Sequence, residues 1–400
     1  MVRTRLEISR FHSFAVMTVA IGAIAILMTL PVPAQTFTTL HSFTGGADGS
    51  EPFAGLSMDS RGNLYGTAAY GGHGNCSFGS ECGTVYKLQH NGSNWVFYTL
   101  YEFGGGADGG TPQARVIVGP DGNLYGTTTN GGAAGKGTVF RLQPPPNFCH
   151  AFSCPWTETV LHSFTGGSDG ANPTYGDITF DRAGNIYGTT PFGGSHDCGV
   201  VYKLSPAGGT WTESILYTST CEDGGELYAG VIFDGAGNLY GTTSGAETSN
   251  GNVYKLTPTG SGWVESTIYH FQFPGGAYGG LTIDSAGNLY GITFFFPQIY
   301  ELSPTSNGWR YQTLYSLGGY GAFAQPTLDA AGNLYGTGAL STPEVFRLSP
   351  FNQIWTLTGF NGSAGDEPFS NVIVDAGGNL YTTASEGGDH GGGVVFQITP

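Results

Sequence analysis

Six aspartates recur at one position of a repeated motif, and a ring of carboxylates is the first chemistry this sequence offers. They are Asp59, Asp181, Asp234, Asp284, Asp329 and Asp375, each four residues before an asparagine. Converging carboxylates bind metal ions or move protons. The same pattern also suits a tight turn. An Asp at that offset accepts backbone N–H bonds, and the Gly-Asn pair that follows tolerates left-handed backbone angles. The turn role is the stronger reading. The second copy of the motif has Gly119 in place of the Asp.

The histidines form two groups. His73, His196 and His390 each follow the motif within a Gly-rich stretch, in copies one, three and seven. They mark a possible ligand face. A metal site there would need ligands from non-adjacent repeats to converge at about 2 Å, so no metal is assigned to them. His41, His162 and His270 stand where other copies have Tyr101, Tyr217 and Tyr315. They read as amphipathic residues of an outer strand.

Six cysteines fall in close pairs: Cys76 with Cys82, Cys149 with Cys154, and Cys198 with Cys221. An even count in an exported chain favours disulfides. None of the spacings is C-x-x-C, so zinc ranks low. The stretches around Asp48, Asp108 and Asp169 are Gly-rich but lack the dense alternation of acids found in a calcium loop. No helix follows the glycine runs, so they are not phosphate cradles. H-E-x-x-H is absent. No catalytic residue and no cofactor is assigned.

The scaffold that must position these residues is a repeat. The sequence GNLYGT, or a close variant, begins at Gly62, Gly122, Gly184, Gly237, Gly287, Gly332 and Gly378. A short apolar stretch precedes each copy and reads as strand a. The hexapeptide is strand b. Strand c follows at 84–88, 138–142, 200–204, 252–256, 298–302, 344–348 and 394–398. Strand d often opens on a tryptophan, as at Trp95, Trp156 and Trp211. Short alternating runs bounded by Gly and Pro predict strands throughout. Gly supplies 69 residues and aromatics 14%, with only 10% charged. That composition opposes disorder and suits an all-β fold with many turns. Because both faces of a propeller blade pack on neighbours, Leu64 and Tyr65 are both candidate core.

The ends sharpen this reading. The seventh copy stops after strand c, at Pro400. Residues 36–43 match strand d elsewhere, such as 159–164. The first strand should therefore complete the last blade. This predicts a closed seven-bladed β-propeller of four-stranded antiparallel blades rather than an open array, which would need capping repeats.

Ahead of that strand, Arg3, Arg5 and Arg10 precede an apolar run from Phe14 to Leu30, and then Pro31, Val32, Pro33 and Ala34. This order is a secretory signal peptide over 1–34, cleaved near Ala34, with the propeller over 35–400. An uncleaved anchor is the competing reading. The net charge is −16. An acidic surface argues against nucleic acid and anionic lipid as partners. A mature chain without a membrane span, acting as a monomer in the periplasm or medium, is expected.

The unit D-x-x-G-N-L-Y-G-T, then G-G, then G-x-V-[YF]-x-L, then L-[YH]-S-F-x-G-G-x-D-G-x-x-P resembles the GloVer tandem repeat of exported bacterial "choice-of-anchor" proteins. D-x-x-G-N-[LI]-Y is more distantly similar to NHL-type propeller repeats. The resemblance spans 36–400 and implies a propeller. Members of that family commonly end in an anchoring tail, and no such tail follows the last strand here, so release is expected. Copies five and six lack the Gly-Gly after strand b. The expected function is a non-enzymatic binding module for a polysaccharide or a surface protein, on the face carrying the b–c and d–a loops. The alternatives are a propeller lyase or hydrolase, which rests on fold analogy alone, and a structural envelope protein.

Overall fold

The repeated hexapeptide forms the second strand of seven four-stranded antiparallel sheets, and each sheet is one blade of a β-propeller. The computed structural model describes residues 35–72, 82–92, 94–146, 155–245, 250–272, 276–317, 325–339, 343–351, 353–357, 362 and 365–399. The expected signal segment and His73, Cys76, Cys149 and Cys154 lie outside the described residues. The propeller is one unit over Phe37–Thr399. In blade 1, strands a to d are Ser57–Met58, Leu64–Ala68, Thr84–Asn91 and Asn94–Glu102. Strand c runs past its apolar core into a c–d hairpin. In blade 3 this hairpin closes between Ala207 and Thr210 over Gly208 and Gly209, both at positive φ. That is the two-residue turn that matches strand twist.

Every residue of the motif has a local task. Asp59 accepts bonds from the Arg61 and Asn63 amides, the Asn63 side chain and the Tyr65 hydroxyl, at 2.7–3.1 Å. The same four bonds recur at Asp181, Asp234, Asp284, Asp329 and Asp375. Partial burial pushes these carboxyls up, but the bonds outweigh it and hold them below the usual carboxylate range. They are turn residues. Where copy two has Gly119, Asp121 takes over, binding the Asn123 amide and side chain and the Tyr125 hydroxyl. The second glycine of the motif makes room for strand c. A Cβ on Gly66 would stand 2.3 Å from the Tyr86 hydroxyl.

The core lies between blades rather than within them. Leu64 packs with Tyr381 and Val395 of blade 7, whereas its neighbour Tyr65 packs with Val116, Leu124 and Phe140 of blade 2. The motif threonine then ties blade to blade. Thr67, Thr189, Thr242, Thr337 and Thr383 each donate a hydroxyl bond of 2.8–3.0 Å to a backbone carbonyl at the start of the next blade. In blade 5 the position is Ile292, which has no such donor.

The ring closes as the offset repeat requires. Strand d of the last blade is Thr36–Ser42, paired beside Val394–Thr399. Phe43 N donates to Gly393 O at 3.0 Å, and Phe37 stacks on Phe396 at 4.8 Å. Cys198 and Cys221 are bridged with 5.5 Å between their Cα atoms, pinning the b–c loop of blade 3 to the d–a loop leaving it. Cys82 is also disulfide-bonded.

Adjacent d strands form outer seams with a repeating register. In five blades the c–d ladder slips by one residue, as between Val139 and Phe140 in blade 2. Such a bulge re-aims the strand's side chains. At the seam of blades 1 and 2, Tyr101 donates to Asp108 at 3.1 Å, close to Glu158 from strand d of blade 2. Burial, with Asp108 adding to it, pushes the Glu158 carboxyl up to about 7.

Two outcomes follow. Deleting residues 35–43 removes one strand of the last blade, and the truncated protein should lose its cooperative thermal transition in circular dichroism. An unchanged transition would overturn ring closure. For Glu158, a raised folded pKa means stability falls as pH climbs from the ordinary glutamate value of about 4.3 to about 7. Glu158→Gln should therefore melt higher than the parent at pH 8 and equally at pH 4, as read by scanning calorimetry at both pH values.

Candidate ligand site at the channel mouth

All seven blades line one central cavity of about 260 Å³. Its walls come from strand a and the segment leading into it. Counting back from the turn aspartate, or from Gly119 in blade 2, two positions carry the site. The residue four before it lines the neck: Gly55, Arg115, Asp177, Gly230, Gly280, Gln325 and Asn371. The neck is tight. A Cβ on Gly55 would fall 1.5 Å from the Asn371 amide oxygen, and one on Gly230 would fall 2.2 Å from the Asp177 carbonyl. Arg115 and Asp177 are the charged side chains of this lining. They neutralise each other, with Nη2 to Oδ2 at 2.8 Å and the Arg115 amide donating to Asp177 Oδ1 at 3.0 Å.

The residue six before the aspartate forms a collar, in which Phe53, Gln113, Tyr175 and Phe369 line the cavity and Tyr228 and Tyr278 continue outward from Tyr175 by ring contact. Phe323, the equivalent in blade 6, lies outside the described residues. All six are half-buried, neither sunk in the core nor fully free. On blades 3 to 5 the rings form a continuous arc. Tyr175 and Tyr228 have centroids 6.3 Å apart at 38°, Tyr228 and Tyr278 5.3 Å apart at 31°, and Tyr278 and Phe294 4.8 Å apart. Phe295 and Phe296 extend the arc into solvent. Burial, then Glu226 and the neighbouring tyrosines, pushes the Tyr228 phenol up to about 12, so it stays a neutral hydrogen-bonding group.

Strained backbone leads into four of the collar residues, Phe53, Gln113, Tyr175 and Phe369. Glu51, Thr111, Asn172 and Glu367 each precede a proline and have φ between 52° and 56°. A non-glycine residue in the left-handed region costs about 1–2 kcal/mol. Each is braced from two sides. The Glu51 amide donates to Gly392 O of blade 7 at 2.8 Å, while its carbonyl accepts from Phe53 N and Ala69 N. The Thr111 and Asn172 amides donate likewise to Cys82 O and Lys136 O of the preceding blade. The turn thus delivers the collar residue two or three positions later.

Of the histidines of the expected ligand face, His196 and His390 lie among the described residues. His196 and His390 are exposed on the b–c loops of blades 3 and 7, and neither lines the cavity. His196 Nδ1 lies 2.9 Å from Ser195 Oγ. The collar was missed at the sequence level, although an aromatic six residues before the turn aspartate recurs in six of seven copies.

Among solved structures, the chain is similar to a fungal alcohol oxidase of the AA5 family in complex with copper. The two share 13% identity, with 91% of this chain and 75% of that one covered, at a TM-score of 0.56. It is also similar to PorZ, a surface component of the type-IX secretion system of Porphyromonas gingivalis. Here identity is 13% and the TM-score 0.51, covering 87% of this chain and 46% of PorZ. At such identities the likeness is one of fold. No curated protein matches the chain in sequence. The profile of the Gloeobacter/Verrucomicrobia repeat matches residues 22–155 and 152–337. With that match over most of its length, and the repeat unit visible as a blade, the chain belongs to the Gloeobacter/Verrucomicrobia repeat family.

Proposed function

We propose that this protein is an exported, non-catalytic propeller that binds a neutral polysaccharide at the aromatic collar. The observation that carries the reading is the collar over a neutral neck. Sugar rings present apolar C–H faces bounded by hydroxyls, and half-buried Tyr and Phe rings backed by amides complement both. Gln113 within the collar, and Gln325 and Asn371 in the neck, supply amide donors and acceptors. Hydrolysis or elimination needs a proton donor and a base poised near the reacting bond. The charged groups of the described cavity lining are a single Arg–Asp pair bonded to each other, which supports binding over turnover. The acidic surface favours neutral over anionic glycans. The bridged cysteines suit an oxidising compartment outside the cytoplasm.

Affinity electrophoresis against a panel of neutral polysaccharides tests this. The parent protein should be retarded by at least one of them, and Tyr228→Ala should weaken binding roughly ten-fold, the scale of one lost aromatic contact. Retention that is identical in Tyr228→Ala and Tyr278→Ala would remove the collar from the site. Release of new reducing ends or unsaturated sugars would overturn the non-catalytic part. Capture of a surface protein with no retention by any glycan would favour the second binding partner expected from the sequence.

A further inference from the structure

We propose that His162, Asp169 and Glu213 form a site for a divalent transition-metal ion such as zinc, clamping blade 2 to blade 3 on the outer rim of the propeller. His162 lies on strand d of blade 2 (Thr157–Ser163), Asp169 in the d–a loop after it, and Glu213 on strand d of blade 3 (Thr210–Thr218). Among the described residues this is the one group of three His, Cys, Asp or Glu side chains whose donor atoms all lie within 4.8 Å of one another.

The spacing separates a metal site from a hydrogen-bonded one. His162 Nε2 stands 3.5 Å from Asp169 Oδ2 and 3.4 Å from Glu213 Oε1. Hydrogen bonds to nitrogen fall at about 2.7–3.2 Å. A tetrahedral ion with ligands at about 2.1 Å sets its donor atoms about 3.4 Å apart. Both His162 Nε2 and Glu213 Oε1 are shut off from water and have no hydrogen-bond partner. Leaving two such atoms buried and unpaired is costly. A shared cation satisfies both at once, and two carboxylates with a neutral imidazole balance its charge. Asp169 is held ready by the Thr165 amide at 2.8 Å and the Thr165 hydroxyl at 2.5 Å. The His162 ring is fixed edge-on against Phe164.

Two neighbouring seams act as internal controls. At the seam of blades 7 and 1, His41 and Asp48 occupy the equivalent positions, but Phe97 replaces the glutamate. There the pair closes to a 3.0 Å hydrogen bond, and Phe97 stacks on His41 at 3.7 Å. At the seam of blades 1 and 2, Tyr101 replaces the histidine and bonds Asp108. The His–Asp distance is 3.5 Å at the seam that also holds the glutamate and 3.0 Å at the seam that holds Phe97 in its place. The strand-d bulge beside His162, with Val139 opposite His162 and Phe140 opposite Val160, turns the ring toward blade 3.

The experiment is calorimetric titration of the purified protein, dialysed against chelator, with zinc chloride. One saturable site is expected, along with a rise in melting temperature that chelator reverses. Glu213→Gln, which keeps shape and removes one charge, should lower affinity by about 100-fold or more and abolish the thermal shift, as should His162→Gln. His41→Gln should leave both unchanged. Cobalt in place of zinc should give the visible absorption of a four-coordinate ion in the parent and not in Glu213→Gln. Absence of saturable zinc binding by the parent, or binding unaltered in both Glu213→Gln and His162→Gln, would overturn the site. Neither result bears on the collar, which shares no residue with it.

Discussion

Each blade buries both of its faces against its neighbours, and that constraint governs the rest of the molecule. Strand b shows how it is met. Its leucine enters the seam on one side and its tyrosine the seam on the other. Its glycine lets the strand-c aromatic cross at close range, and its threonine hydroxyl reaches the next blade's backbone. A blade alone would expose an apolar face and a row of unpaired groups. The ring supplies the missing surface for all seven, and the first strand of the chain supplies it for the last blade.

The collar depends on the same closure. Phe53, Gln113 and Tyr175 sit just after a left-handed residue whose amide is held by the preceding blade. That backbone conformation persists because two blades over-determine it. The rigidity of the ring is thereby passed to these collar positions. A surface built this way is ordered beforehand, so the proposed binding would lose little ordering entropy.

The outer seams vary where the core does not. Tyr, His, Phe and Glu exchange at two fixed positions of strand d, and each combination makes a different contact: a ring stack, a phenol–carboxylate bond, or the His–Asp–Glu group. These positions lie at the rim, partly buried at the edge of the inter-blade core rather than within it. The repeat thus carries chemistry at its periphery without disturbing its centre.

Much of this was legible in the residues. Seven copies of one hexapeptide, the missing final strand d and its match at residues 36–43 determine a closed ring, because an offset repeat has no use in an open one. The Asp before Gly-Asn reads as a turn because its bonds are local in sequence, and Cys198 with Cys221 is a loop-to-loop pairing that topology alone permits. The collar and the metal group were not legible, for one physical reason. Collar residues lie about fifty residues or more apart on different blades, as do His162 and Glu213, and what they face depends on inter-blade register. His162 looked like a filler of strand d because its partner Glu213 belongs to the next strand d, brought opposite only by blade packing and a one-residue bulge. His196 and His390 stand exposed on b–c loops of non-adjacent blades, where the sequence reading placed them.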